Sequence, residues 1–131
     1  MIVKPIEDIY GFERRRWILL KDEKYLIRFC SKYYDVVVPK FFISNGASIP
    51  RFLRPFVEST GCLFKIAFLH DYMYAKGHFK TVDGLEHYIS RNEADKIFRN
   101  YCLDNKIKKS ICYFSYCVLN LFGWSSNNYW N

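Results

Sequence analysis

Hydrophobic and polar positions divide the chain into two textures. Up to about Phe42 the apolar residues come in short runs: Trp17-Ile18-Leu19-Leu20, Tyr25-Leu26-Ile27-Arg28-Phe29 and Tyr34 to Val38. β-Branched and aromatic residues dominate them, which predicts strands. Asp22-Glu23 is read as a hairpin turn, Ser31-Lys32 begins the next connection and Pro39 ends the third run, giving an antiparallel β-meander. Residues 42 to 55 read as a connection, punctuated by Asn45-Gly46, Pro50 and Pro55; Asn-Gly favours a turn because both residues tolerate positive φ.

After Gly61 the period changes. Residues 62 to 75 are almost continuously apolar, too long for a strand, and are bounded by Gly61 and Gly77, which predicts a buried helix. The polar stretch from Gly77 to Tyr88 reads as a loop. Ser90 with Glu93 three residues later forms a capping box, starting a second helix whose stripe is Ala94, Ile97, Phe98 and Tyr101. Residues 107 to 122 predict a third helix, with Gly123 in the C-terminal stop position. An irregular Ser/Asn-rich tail with Tyr129 and Trp130 follows. The expectation is an α+β fold: an N-terminal antiparallel β-meander followed by a three-helix C-terminal half. Residues 1–131 read as one domain with a motif core at about 36–104, without repeats or linkers.

Composition narrows this picture modestly. Half the residues are hydrophobic, with 11 Tyr, 12 Phe and 3 Trp, which excludes a disordered tail. The net charge of +7 favours anionic partners as well as a lysine-rich solvated surface. The densest basic clusters, Arg14-Arg15-Arg16 and Lys106 with Lys108-Lys109, are too short to form a polybasic arm. Five cysteines at irregular spacing, with no Cys-x-x-Cys, exclude a zinc knuckle and a complete disulfide framework. Synthesis in a reducing cytoplasm is expected. The N-terminus lacks a signal-peptide pattern, and the longest apolar run, 111 to 124, is interrupted by Ser115 and Asn120, so no transmembrane segment is expected.

The sharpest local chemistry is His70-Asp71 inside an apolar helix, where ionisable groups are costly unless bonded. His70 and Tyr74 share a helix face, while Asp71 points about 100° away. Asp95 on the capped helix is the available partner for His70. That pairing would leave the other ring nitrogen free as a general base, or it would serve as a buried network pinning the helices together. Asn45-Gly46-Ala47-Ser48 would offer carbonyls to a cation, N–H groups to an oxyanion, or only a turn. Ser48 lacks a nucleophile elbow. His78 and His87, with Asp83 and Glu86, match no ligand spacing and read as solvated loop residues. Phosphate-binding glycine loops, zinc-protease motifs and helix-turn-helix signatures are absent, so no sequence-specific nucleic-acid binding is expected.

The run from Val38 to Arg51 resembles the signature VPxGFxTDGASIPR of the domain-of-unknown-function family DUF1353. Leu69-His70-Asp71-Tyr72-Met73-Tyr74 and Ser90-Arg91-Asn92-Glu93-Ala94-Asp95 resemble its later motifs, with Ser48 and Arg91 as further motif positions. Asn45 stands where the family often has Asp. The resemblance implies a tailed phage or prophage source. A weaker resemblance joins the His-Asp-x-x-Tyr helix and the Ala-Asp-x-x-Phe helix to phospholipase A2-like domains. It implies that His70 activates water, Asp95 orients His70, Tyr74 braces Asp95, and Asp71 with carbonyls at Asn45 and Gly46 holds Ca²⁺. Three functions follow as expectations: a small His/Asp hydrolase acting on lipid or another envelope ester, a non-enzymatic virion component of the tail or connector, and a cytoplasmic binder that counters host defence. The corresponding partners are an anionic lipid surface or other virion proteins, with the chain in the host cytoplasm when synthesised or in the virion.

Overall fold

A computed structural model describes residues 3–6, 16–45 and 62–125. Alternation of side chains produces the strands β1 (Val3–Ile6), β2 (Arg16–Leu19), β3 (Glu23–Phe29), β4 (Lys32–Val38) and β5 (Ile43–Asn45). Their pairing is antiparallel, but it is divided. β3 and β4 form a hairpin, whereas β2 lies between β1 and β5 in a separate three-stranded sheet. The hairpin turns through Cys30 and Ser31, both at positive φ (52° and 62°), the paired left-handed geometry that matches strand twist. Asp22-Glu23 therefore leads from one sheet to the other, and Ile43–Asn45, expected within a connection, is a sheet strand.

The helices are α1 (Cys62–Lys76), α2 (Arg91–Asp104) and α3 (Lys109–Ser125). α1 is buried on several sides, through Leu63, Ile66, Phe68, Leu69 and Met73, as its continuous apolar run requires. It ends at Gly77, whose φ of 75° lets its N–H reach the Met73 carbonyl at 2.8 Å. α2 begins with the capping box: the Glu93 N–H donates to Ser90 Oγ at 3.2 Å, and the Ser90 N–H donates to Glu93 Oε1 at 2.9 Å. Its expected stripe, Ala94, Ile97, Phe98 and Tyr101, is buried. α3 starts two residues later than expected, because Ile107 is used in the turn, its N–H bonded to the Cys102 carbonyl at 3.0 Å. It also runs past Gly123 to Ser125; a helical glycine costs only about 1 kcal/mol. Among the described residues, no helix is long and apolar enough to cross a membrane.

The stretch expected as a loop between α1 and α2 is a hairpin, β6 (His78–Lys80) with β7 (Glu86–Tyr88). Val36 bridges Thr81, and the Val82 N–H donates to the Asp35 carbonyl, which fastens the hairpin to β4. Phe79 is 0 % exposed and meets Phe29 and Tyr34, with ring centroids 5.9 and 5.5 Å away. Strands of three residues are too short to show a period, and their pairing to β4 is non-local. The core thus lies between helices and strands, joining Leu19, Ile27, Val36 and Phe79 to α1 and α2.

Candidate functional site

α1 carries His70, Asp71 and Tyr74, and α2 carries Arg91 and Asp95. The pairs His70/Asp95 and Tyr74/Arg91 step in opposite directions, as in antiparallel packing. His70 Nε2 lies 2.6 Å from Asp95 Oδ1, and the Tyr74 hydroxyl donates to the same oxygen at 2.7 Å. Because a carboxylate only accepts, the proton of this contact sits on Nε2, leaving Nδ1 as the second ring position. His70 is 3 % exposed and Asp95 1 %. The imidazole is further held by the Tyr74 ring, 4.2 Å between centroids, and by Phe98 edge-on at 5.6 Å. A buried carboxylate receiving two donors is satisfied in a setting where an unpaired one would be expensive.

Asp71 turns away from this pair, as the helical step of about 100° requires. It is half-buried, and the Ser44 hydroxyl of β5 donates to its Oδ2. Ser44 itself is buried. Asp71 therefore reaches the strand that leads into the Asn45-Gly46 motif. Asn45 is placed through its backbone as the last residue of β5, opposite Arg16. Gly46 and Ser48 lie outside the described residues, and with them the expected turn. The Arg91 guanidinium lies 5.7 Å from the centre of the Tyr74 ring. Its burial pulls its pKa below the ordinary value, while the neighbouring Tyr74 and Asp95 oppose that shift.

The two other histidines are not solvated loop residues. His78 is part-buried beside Tyr72, with its Nε2 3.5 Å from the Tyr72 hydroxyl and 4.0 Å from Glu86 Oε1. His87 stacks on Phe79 at 4.9 Å. Among the described residues no group of three or more His, Cys, Asp or Glu is arranged to hold a metal. Asp71 supplies an oxygen donor of the kind a hard cation takes, and backbone carbonyls would have to supply most of the rest.

Sequence reasoning missed Ser44 and gave Phe98 only a packing role. The alternation of β5, Ile43 outward and Ser44 inward, was the available signal for Ser44, but three residues are too few to establish it.

Two buried phenols, Tyr74 of the site and Tyr25 of β3, carry a pH signature. Burial first, and then the hydrogen bond to Asp95, pushes the Tyr74 hydroxyl far above its ordinary value of 10.0. Burial does the same to Tyr25, whose hydroxyl donates to the Lys65 carbonyl at 2.6 Å. A raised folded-state pKa means that the native chain holds these protons more tightly. Their contribution is therefore complete below about pH 10 and is lost above it, as the unfolded phenols ionise first. Each such phenol steepens the loss by at most about 1.4 kcal/mol per pH unit. Denaturant melts are expected to show an alkaline decline that becomes shallower in Tyr25→Phe. An unchanged decline would show that Tyr25 does not contribute to it.

No curated protein and no solved structure matches the chain. The family described as protein of unknown function (DUF1353) matches residues 17–118, which span β2 to most of α3 and include His70, Asp71, Tyr74, Arg91 and Asp95. With most of its length covered, including every described element of the candidate site, the chain belongs to the DUF1353 family.

Proposed function

We propose that this protein is a small His/Asp-dependent hydrolase of a tailed phage or prophage, acting on a lipid or another envelope ester. One observation carries the reading: a single buried oxygen, Asp95 Oδ1, receives both His70 Nε2 and the Tyr74 hydroxyl. In this role Nδ1 of His70 accepts a proton from water as the water attacks the ester carbonyl, and returns it to the departing alcohol oxygen as the ester C–O bond breaks. Asp95 holds the ring in the required tautomer and stabilises its charged form, and Tyr74 fixes the carboxylate. Asp71, with carbonyls at Asn45 and Gly46, would hold Ca²⁺, which when bound would polarise the ester carbonyl. The test is fatty-acid release from phosphatidylglycerol in the presence of Ca²⁺ and of a chelator. Activity that the chelator removes is expected. Ser44→Ala, which strips Asp71 of its positioning hydroxyl, should raise the Ca²⁺ needed for half-activity about tenfold. A pure protein that hydrolyses neither phospholipids nor simple carboxylic esters would defeat the reading.

The 3 % exposure of His70 favours a second reading, in which the same network is architectural and the protein is a non-enzymatic virion component. Purified particles would then contain the chain in many copies, with no esterase activity attached to it.

A further inference from the structure

The three-stranded sheet has two unlike faces. Leu19 and Ser44 point inward and are buried, whereas alternation turns Ile18, Leu20 and Ile43 towards the outside. Ile18 pairs with Ile43 across β2 and β5, and Lys4 pairs with Ile18 across β1 and β2. At the turn entering β5, the Phe41 N–H donates to the Leu19 carbonyl at 2.6 Å, so the Phe41 backbone continues the pairing of this strand with the end of β2. The residue is 60 % exposed and its φ is 71°.

A bulky residue in the left-handed region is strained, and burial does not account for an aromatic ring held mostly in solvent. Two exposed lysines border this apolar patch: Lys4 stands opposite Ile18, and the Lys40 ammonium sits 5.4 Å from the Phe41 ring centre. The neighbouring acid, Asp22, accepts the Lys40 backbone N–H at 2.7 Å. Lysine stems can lie along apolar surface while their ammonium groups reach outward. An apolar centre with flanking lysines is complementary to the headgroup–acyl boundary of an anionic membrane, where the rings and aliphatic chains enter and the ammonium groups meet phosphates.

We propose that the outer face of this sheet, Ile18, Leu20, Phe41 and Ile43 flanked by Lys4 and Lys40, docks the protein on an anionic phospholipid bilayer. The proposal goes beyond the hydrolase reading, because the face would bind membrane whether or not His70 is catalytic. Vesicle flotation in chelator, where no turnover is needed, tests it with phosphatidylcholine vesicles and with mixed phosphatidylcholine–phosphatidylglycerol vesicles. The protein is expected to float with the anionic vesicles and to be released by salt. Phe41→Gly removes the ring and relieves the left-handed strain. It should melt no lower than the parent and bind at least about tenfold more weakly. Lys40→Ser and Lys4→Ser should each weaken binding roughly fivefold. Failure to float with anionic vesicles, equal binding to neutral ones, or binding unchanged in Phe41→Gly would overturn the proposal. A Phe41-dependent dimer in sedimentation, without vesicle binding, would overturn it in favour of a second copy of this chain.

Discussion

Asp95→Asn is expected to leave the fold intact and, if the chain is a hydrolase, to lower turnover by on the order of 10²-fold or more. Among the described residues, the contacts of Asp95 with His70 and Tyr74 fall on one oxygen, Oδ1. An asparagine that keeps its carbonyl oxygen there still accepts from His70 and Tyr74. What it removes is the negative charge that stabilises the imidazolium and selects the Nε2–H tautomer. The stability cost should therefore be no more than about 1–2 kcal/mol, the difference between a charge-assisted and a neutral hydrogen bond. Asp95→Ala is the contrasting variant. It strands two buried donors and should cost about 3 kcal/mol or more. Turnover and denaturant melts on both variants separate the two roles. Full activity in a folded Asp95→Asn protein would remove Asp95 from the mechanism. A loss as large as that of Asp95→Ala would show that the charge is structural.

The largest stability effect is expected at Phe79→Ala, about 3–5 kcal/mol. Phe79 is the fully buried residue of β6, facing Phe29 and Tyr34 from the β3–β4 hairpin and stacked on His87. Truncation leaves a cavity where the β6–β7 hairpin meets β4, and the backbone bond from Val82 to Asp35 limits how far the site can collapse. Denaturant midpoints measure it. A loss under about 1 kcal/mol, the scale of a surface change, would mean that the hairpin is not part of the cooperative core.

The helical features of this protein were legible in its sequence because their causes are local. Helix hydrogen bonds close within four residues, so the Ser90/Glu93 capping box and Gly77 mark ends that need no distant partner. The same periodicity put His70 and Tyr74 on one face and turned Asp71 aside. The cost of burying polar groups then pointed His70 and Tyr74 to Asp95. The strands obeyed less local rules. β2 pairs with β1 and β5 rather than with β3, and the β6–β7 hairpin depends on Phe79 entering a pocket built from β3 and β4. Such pairings join residues far apart in the chain, and three-residue strands carry too little pattern to announce them. Tertiary structure also decided that Ser44 faces Asp71, that His70 is almost sealed from solvent, and that Phe41 stands exposed in a left-handed turn. Each depends on which elements pack around the residue, since burial and contact belong to the assembled fold and not to the residue's immediate sequence neighbours.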